Sequence, residues 1–199
     1  MREIERSMSN LHFSSCLRAF VVKSFFAPLA IIITSSLALI GCQSAQVAQP
    51  LTVKLSGNDA DSQLEFWHEL AERRVTSNDE AFHGLLLYLD NKDSSATYAD
   101  RVLALKSRHL LPDSFSAPAG QAVTRGNLAY AILHVLQIKG GLILHVFGPT
   151  PRYALRELEF EGIYPPSSDY QTFSGAEFVG VIGRMEDVQG EKLAANTAK

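Results

Sequence analysis

The residues with the strongest chemistry are two thiols, Cys16 and Cys42, and five histidines further on: His68, His83, His109, His134 and His145. A thiolate is a potent nucleophile, and histidine is the usual proton carrier near neutral pH. Both cysteines lie in the first 42 residues. The sequence from Gln43 onward therefore offers no internal disulfide, no thiolate-ligated zinc and no thiol nucleophile. The histidines form no motif. "HELAE" at 68–72 has Glu72 where a metalloprotease helix needs its second histidine, and no two histidines stand four apart. "DNKDSS" at 90–95 has the acids of a calcium loop but lacks the glycine at the sixth position and the closing glutamate. There is no Gly-x-Ser-x-Gly, no phosphate loop and no dinucleotide fingerprint. Glu157, Glu159 and Glu161 read as a solvated face, His83 and His134 as interior or edge histidines of helices, and Trp67 as packing. No catalytic residue, metal-ligand set or cofactor site is expected. A hydrolase assembled from scattered His, Asp and Glu is the alternative left open.

Cys42 has a context of its own. Arg18 and Lys23 precede an uncharged, mostly apolar stretch, Phe25 to Ile40, "FFAPLAIIITSSLALI", which leads to Gly41 and the cysteine. Basic flank, apolar stretch and small residue are the layout of a secretory signal. The stretch of about 16 residues is short for a bilayer span, and Pro28 with Thr34-Ser35-Ser36 weakens it as a permanent helix. The segment before it is long, and Met8 is an alternative start to Met1. "LIGC" at 39–42 resembles the bacterial lipobox, with Leu39 at −3, Ile40 at −2, Gly41 at −1 and Cys42 at +1. The resemblance implies a diacylglyceryl group on Cys42, palmitate-type acyl chains as the membrane anchor, and cleavage just before the cysteine. With Gln43 in place of Asp, it also implies the outer membrane rather than the inner. The other readings are an ordinary signal peptide with a chance cysteine and an uncleaved anchor. Two or three acyl chains hold far better than one.

Without its first 42 residues the chain carries 14 basic and 19 acidic side chains, a balance of −5. Nucleic acid demands a basic surface, so it is not an expected partner, and there is no polybasic patch for anionic lipid. The body must be stable by packing alone, which about 130 ordered residues can achieve.

Beyond Cys42 the chain divides into a tether and a helical body. Residues 42–60, rich in Gln, Ser and Ala, read as a flexible tether, with Leu51 to Leu55 alternating as a short strand would. Residues 61–187 read as helices. "SQLEFWHELAERR" sets Leu64, Trp67, Leu70 and Ala71 on one face with Asp61 or Ser62 as cap. "SNDEAFHGLLLYL" sets Ala81, Leu85 and Tyr88–Leu89 on one stripe, and "TYADRVLALKSRHLL" sets Val102, Leu105 and Leu110. "TRGNLAYAILHVLQI" places Leu128, Ala131, Ile132 and Val135 together. "PRYALRELEFEGI" opens on Pro151 at a permitted early position, and "SGAEFVGVIGRMED" offers Phe178, Val181, Ile182 and Met185. "GGLILHVFGPTP" alternates between glycines and reads as a short extended segment near 141–147. The polar, small-residue end, 188–199, reads as a disordered tail.

Two units look alike. Aligning "YADRVLALKSRHLLP" and "VTRGNLAYAIL" with "YALRELEFEGIYP" and "FSGAEFVGVIG" sets Thr124 opposite Ser174, Leu128 opposite Phe178, and Ile132 opposite Ile182. Ser174 with Glu177 reads as a capping box. Residues 66–89 read as a third, compressed copy. The expected fold is mainly α, a bundle of repeated helical hairpins sharing one core, with Leu128, Ile132, Phe178 and Ile182 inside it. Within the clearest unit, Thr124-Arg125-Gly126-Asn127 resembles the Thr-Arg-Ala-Glu-like opening of the second helix in S-layer homology modules. The likeness covers 98–138 best, and 153–185 and 66–89 weakly. It implies a pseudo-threefold helical bundle that binds cell-wall polymer such as peptidoglycan or wall polysaccharide, with Thr124 and Arg125 at the ligand. The matching position is Gly175 in one copy and Ser77 in the other, and Asn127 replaces the usual acid. The alternative for Arg125 is a surface residue in the first turn of its helix. Taken together, the sequence predicts a lipid-anchored envelope protein that binds wall polymer or another envelope protein.

Overall fold

The computed structural model describes residues 44–197. Cys42 and the signal-like segment lie outside the described residues. Ser44 to the C-terminus forms one compact unit. Its helices are α1 (Ala60–Ala71), α2 (Asn78–Asp90), α3 (Tyr98–Ser107), α4 (Arg125–Val135), α5 (Leu142–Phe147), α6 (Pro151–Phe160) and α7 (Gly175–Thr197). The protein is mainly helical, as expected, and pairings among the described residues are isolated bridges rather than strands. No described helix is long and apolar enough to cross a membrane.

Every helix but α5 starts where a side chain satisfies one of its free backbone N–H groups. Asp59 caps α1 by accepting from Ser62 N–H, slightly earlier than the expected cap. Ser77 and Glu80 form a capping box on α2, and Thr97 and Asp100 one on α3. Thr124 caps α4, and Thr150 caps α6 with Pro151 in its first turn. Ser174 and Glu177 exchange the bonds of the expected box at the start of α7. The short α5 has no side-chain cap.

The helices pack chiefly as α4 on α6, α1 on α7, and α2 on α3. α2 is the central element and is buried from Asn78 to Leu87. Leu128, Ile132, Phe178 and Ile182 are all in the core, as are Ala81, Leu85, Leu105, Leu110, Val181 and Met185. On α1 the expected stripe is rotated. Phe66 and Leu70 are buried one turn apart, Trp67 is half-buried, and Leu64 faces solvent.

The segments leading into α2, α4 and α7 meet at one place. Thr76 N–H donates to the Phe173 carbonyl at 2.9 Å, and Val123 N–H donates to the Thr76 carbonyl at 3.0 Å. Thr76, Val123 and Phe173, each just before a hydroxyl cap, are buried together. Antiparallel bridges Ser77–Ala122 and Thr124–Thr172 tie the caps themselves.

Four local expectations are corrected. Residues 141–147, expected to be extended, form α5, a turn and a half of helix. Leu51 to Leu55 is not a strand; Leu51–Val53 is a single 3-10 turn. The supposed flexible tether is docked: Val47 N–H donates to Gly120 at 2.7 Å, Ala122 N–H to Ala45 at 2.8 Å, and buried Leu51 donates its N–H to Glu80 Oε1 at 2.9 Å. The supposed disordered tail continues α7 to Thr197, and Lys192 Nζ donates to the Leu136 carbonyl at 2.7 Å.

Candidate functional site

The two ligand residues expected from the sequence, Thr124 and Arg125, are neighbours that line different cavities. Thr124 is on the wall of an open cleft of about 880 Å³, with Asn127, Thr150, Arg152, Asp169 and Tyr170 around it and Ser44 at its edge. The Thr124 hydroxyl accepts the Asn127 N–H at 3.3 Å, which leaves its own hydrogen for a ligand in the cleft. Tyr170 is 82% exposed. The 169–171 loop reaches α4 because residue 126 is glycine. A Cβ there would lie 3.0 Å from Asp169 Cβ and 3.1 Å from Pro151 Cβ, and Gly126 N–H donates to the Asp169 carbonyl at 3.0 Å.

Arg125 is not a surface residue. It is 7% exposed, and its Nη2 bonds Glu177 Oε1 at 2.5 Å, joining the start of α4 to the start of α7. The guanidinium lies over the Phe173 ring, 5.0 Å from its centroid, an attraction between cation and ring face. The Ser174 backbone N–H, followed by the Ser174 hydroxyl and Arg125, holds the Glu177 carboxyl below its ordinary range despite partial burial. Arg125 also edges a small groove of about 200 Å³ with Ile163, Pro165 and Arg184. Its charge is already matched by Glu177, so it serves first as a strut.

The two positions set opposite Arg125 in the expected repeat are occupied differently. Gly175 follows the Ser174 cap, and a Cβ on it would lie 1.5 Å from the Leu70 carbonyl oxygen. No side chain fits there. Ser77, set opposite Arg125 in the expected repeat, is itself the cap of α2, so Asn78 holds the place after that cap that Arg125 holds after Thr124. Asn78 is buried, and its Nδ2 donates to the Pro118 carbonyl at 3.0 Å.

Sequence reasoning missed a buried ionic network. Arg101 on α3 donates Nε to Asp93 Oδ2 at 2.5 Å and Nη1 to Asp79 Oδ1 at 2.7 Å. His83 Nδ1 pairs with Asp93 Oδ2 at 2.7 Å, and Thr52 donates its hydroxyl to Asp79. Burial would raise the Asp93 carboxyl, but bonds from His83 and Arg101 outweigh it and hold the group far below its usual range. A histidine–aspartate pair can act in proton transfer, but the side chains of His83 and Asp93 are both 0% exposed. The free nitrogen of His83 has no partner, and the ring meets Phe66 edge-on at 4.6 Å. The network is a structural tie between the N-terminal turn, α2, the 91–97 loop and α3. Its residues come from four separate segments, so no local motif announces it. The closest local signal is the acid-rich 90–95 stretch, which supplies Asp93. Among the described residues, no cluster of three or more His, Cys, Asp or Glu side chains is arranged to hold a metal ion. His134 is half-buried, with Nδ1 bonded to the Tyr130 carbonyl at 2.7 Å, as an edge histidine should be.

The likeness to S-layer homology modules rests on these residues alone, because no protein-family model, curated protein or solved structure matches the chain.

Proposed function

We propose that this is a lipid-anchored envelope protein, not an enzyme, whose helical body binds a cell-wall polymer or an envelope protein in the Thr124 cleft. The anchor is Cys42, and the membrane is the outer one. The observation that carries the reading is the cleft's chemistry. Its walls offer hydroxyls and amides from Thr124, Asn127, Thr150 and Gln121, one exposed aromatic at Tyr170, and one charge of each sign at Arg152 and Asp169. A polymer rich in hydroxyl and amide groups is matched by such neutral donors and acceptors, and its C–H faces can lie on an aromatic ring. The His83–Asp93 pair is sealed from solvent, so this pair lends no support to the hydrolase alternative. A lipid tether keeps the cleft at high local concentration beside the wall, so a weak contact can suffice.

The test is retention of the body, residues 44–199, on purified wall material and on envelope extract. The fragment starts at Ser44 because residues 44–47 form part of the fold and of the cleft edge. Binding is expected for the wild type and lost in Tyr170→Ala. A wild-type body that leaves both baits empty refutes the cleft reading. Fatty-acid labelling tests the anchor separately: label that persists in Cys42→Ala refutes it.

A further inference from the structure

We infer that α5 is a second membrane contact, which lays its apolar side chains into the headgroup boundary of the bilayer that holds the Cys42 lipid. The inference rests on the lipid-anchor reading proposed above. Three observations carry it. First, α5 is an apolar helix left without a partner on one side. Leu142 is 80% exposed, and Val146 and Phe147 are each 65% exposed, whereas Leu144 turns inward against the core. These four apolar side chains fall within six residues, and the described residues cover only one of them.

Second, α5 leads into the cleft at which the chain from Cys42 enters the body. Ser44 is two positions after Cys42, a reach of about 7 Å. Ser44 shares the cleft with Thr150, Pro151 and Arg152. Phe147 is three residues before Thr150, a reach of about 10 Å. Its ring packs on Tyr153 at 5.8 Å, which fixes the end of α5 to the first turn of α6. The entry of the chain at Ser44 and the loop that leads from α5 into α6 therefore border the same cleft.

Third, the stretch of sequence around it is locally basic, though it is no polybasic patch. The body is acidic overall, yet residues 114–156 contain Arg125, Lys139, Arg152 and Arg156 and not one acid. Arg125 is engaged by Glu177, and Arg156 pairs with Glu159. Lys139 and Arg152 are exposed and flank α5 on either side. The acid nearest to the helix start, Glu157, accepts the Gly141 N–H at 3.2 Å. Apolar side chains flanked by cations are the pattern of a segment that lies in the membrane interface, and a second contact adds to a lipid anchor much as a second chain does.

The mature chain has no thiol besides the lipidated Cys42, so single cysteines can be spin-labelled. Val146→Cys, Leu103→Cys and Leu64→Cys are made in the full chain and purified in lipidated form. Each is placed in vesicles of phosphatidylethanolamine and phosphatidylglycerol. All three sites are exposed, so the fold is not at stake. The label at 146 is expected to be at least about fivefold less accessible to a water-soluble nickel chelate than the label at 103 or 64, and more accessible to oxygen. Equal nickel accessibility at all three sites, in protein that floats with the vesicles, overturns the α5 contact and leaves the anchor intact. Protein that does not float, or that carries no acyl group at Cys42, overturns the anchor reading and this inference with it.

Discussion

Gly175 sits directly against Leu70: a Cβ on the glycine would be 1.5 Å from the leucine's carbonyl oxygen. The first turn of α7 thus touches the backbone at the end of α1, and Gly175 N–H donates to the Arg73 carbonyl at 2.8 Å beside it. Gly175→Ala is expected to cost about 3 kcal/mol or more in urea unfolding, because backbone cannot yield as a side chain can. Gly180→Ala, where a Cβ meets nothing within 4 Å, should instead be neutral or stabilise by about 0.5–1 kcal/mol. Equal effects at both sites would contradict the packing.

Arg101 holds two buried carboxylates at once. Arg101→Met should destabilise the protein by about 3–5 kcal/mol, since Asp79 and Asp93 lose their cation inside the fold. The exposed pair Arg108–Asp90 makes the control, and Arg108→Met should cost less than about 1 kcal/mol. Chemical denaturation of the two variants distinguishes the cases.

Acid should weaken the fold through Asp93. Its carboxyl is held below its ordinary value of 3.8 by His83 and Arg101. A depressed folded-state value contributes stability that is complete above the unfolded value and is lost as pH falls toward the folded one. Stability should therefore decline from about pH 5 to about pH 2.5, and Asp93→Asn, though less stable at neutral pH, should decline less steeply. Identical slopes for the two proteins would show that Asp93 is not the group responsible.

Arg125 and Tyr170 should separate folding from binding. Arg125→Ala breaks the Glu177 bond and the Phe173 contact, and is expected to cost about 1–3 kcal/mol in stability. Tyr170→Ala should leave the thermal midpoint nearly unchanged and abolish retention on wall. Retention unaltered in Tyr170→Ala would remove the aromatic from the proposed contact.

Phe178 is fully buried and touches both Trp67 and Phe173. Phe178→Ala should cost about 3–5 kcal/mol, and Leu103→Ala, at an exposed position, less than about 0.5 kcal/mol. Calorimetry on the two variants tests whether the aromatic cluster is the tightly packed part of the core.

The helices and most of their buried stripes are readable because long amphipathic segments with hydroxyl caps carry two signals that agree. Short segments carry only one. "LILHVF" is apolar at five of six positions, so periods of 2 and 3.6 cannot be told apart, and a helix reads as extended. "GEKLAANTAK" reads as a tail from its polarity, although Glu, Lys, Leu and Ala are strong helix formers that prolong α7. On α1, Phe66 and Leu64 are both strongly apolar, and only the packing of α1 against α2 and α7 decides which one is buried. The motif at 124–127 falls only in part on the proposed cleft. Thr124 faces the cleft, but Arg125 is held by Glu177, fifty-two residues away, a partner that no local pattern discloses. The Asp79–Arg101–Asp93–His83 network is hidden in the same way, by distance along the chain.

The docking of residues 44–47 also has a mechanical meaning. Anchored at Cys42 as proposed, the protein takes any pull between wall and membrane at Ser44. Val47–Gly120 and Ala122–Ala45 are the two backbone bonds nearest that point. Loaded from the chain end, they open one after the other, as a strip peels. Peeling residues 44–50 would release about 24 Å of chain before the buried Leu51 comes under load. It would also remove Ser44 and Ala45 from the edge of the cleft. On that proposal the attachment would yield in length before it unfolds, and a grip on polymer in the cleft would slacken as the envelope is stretched.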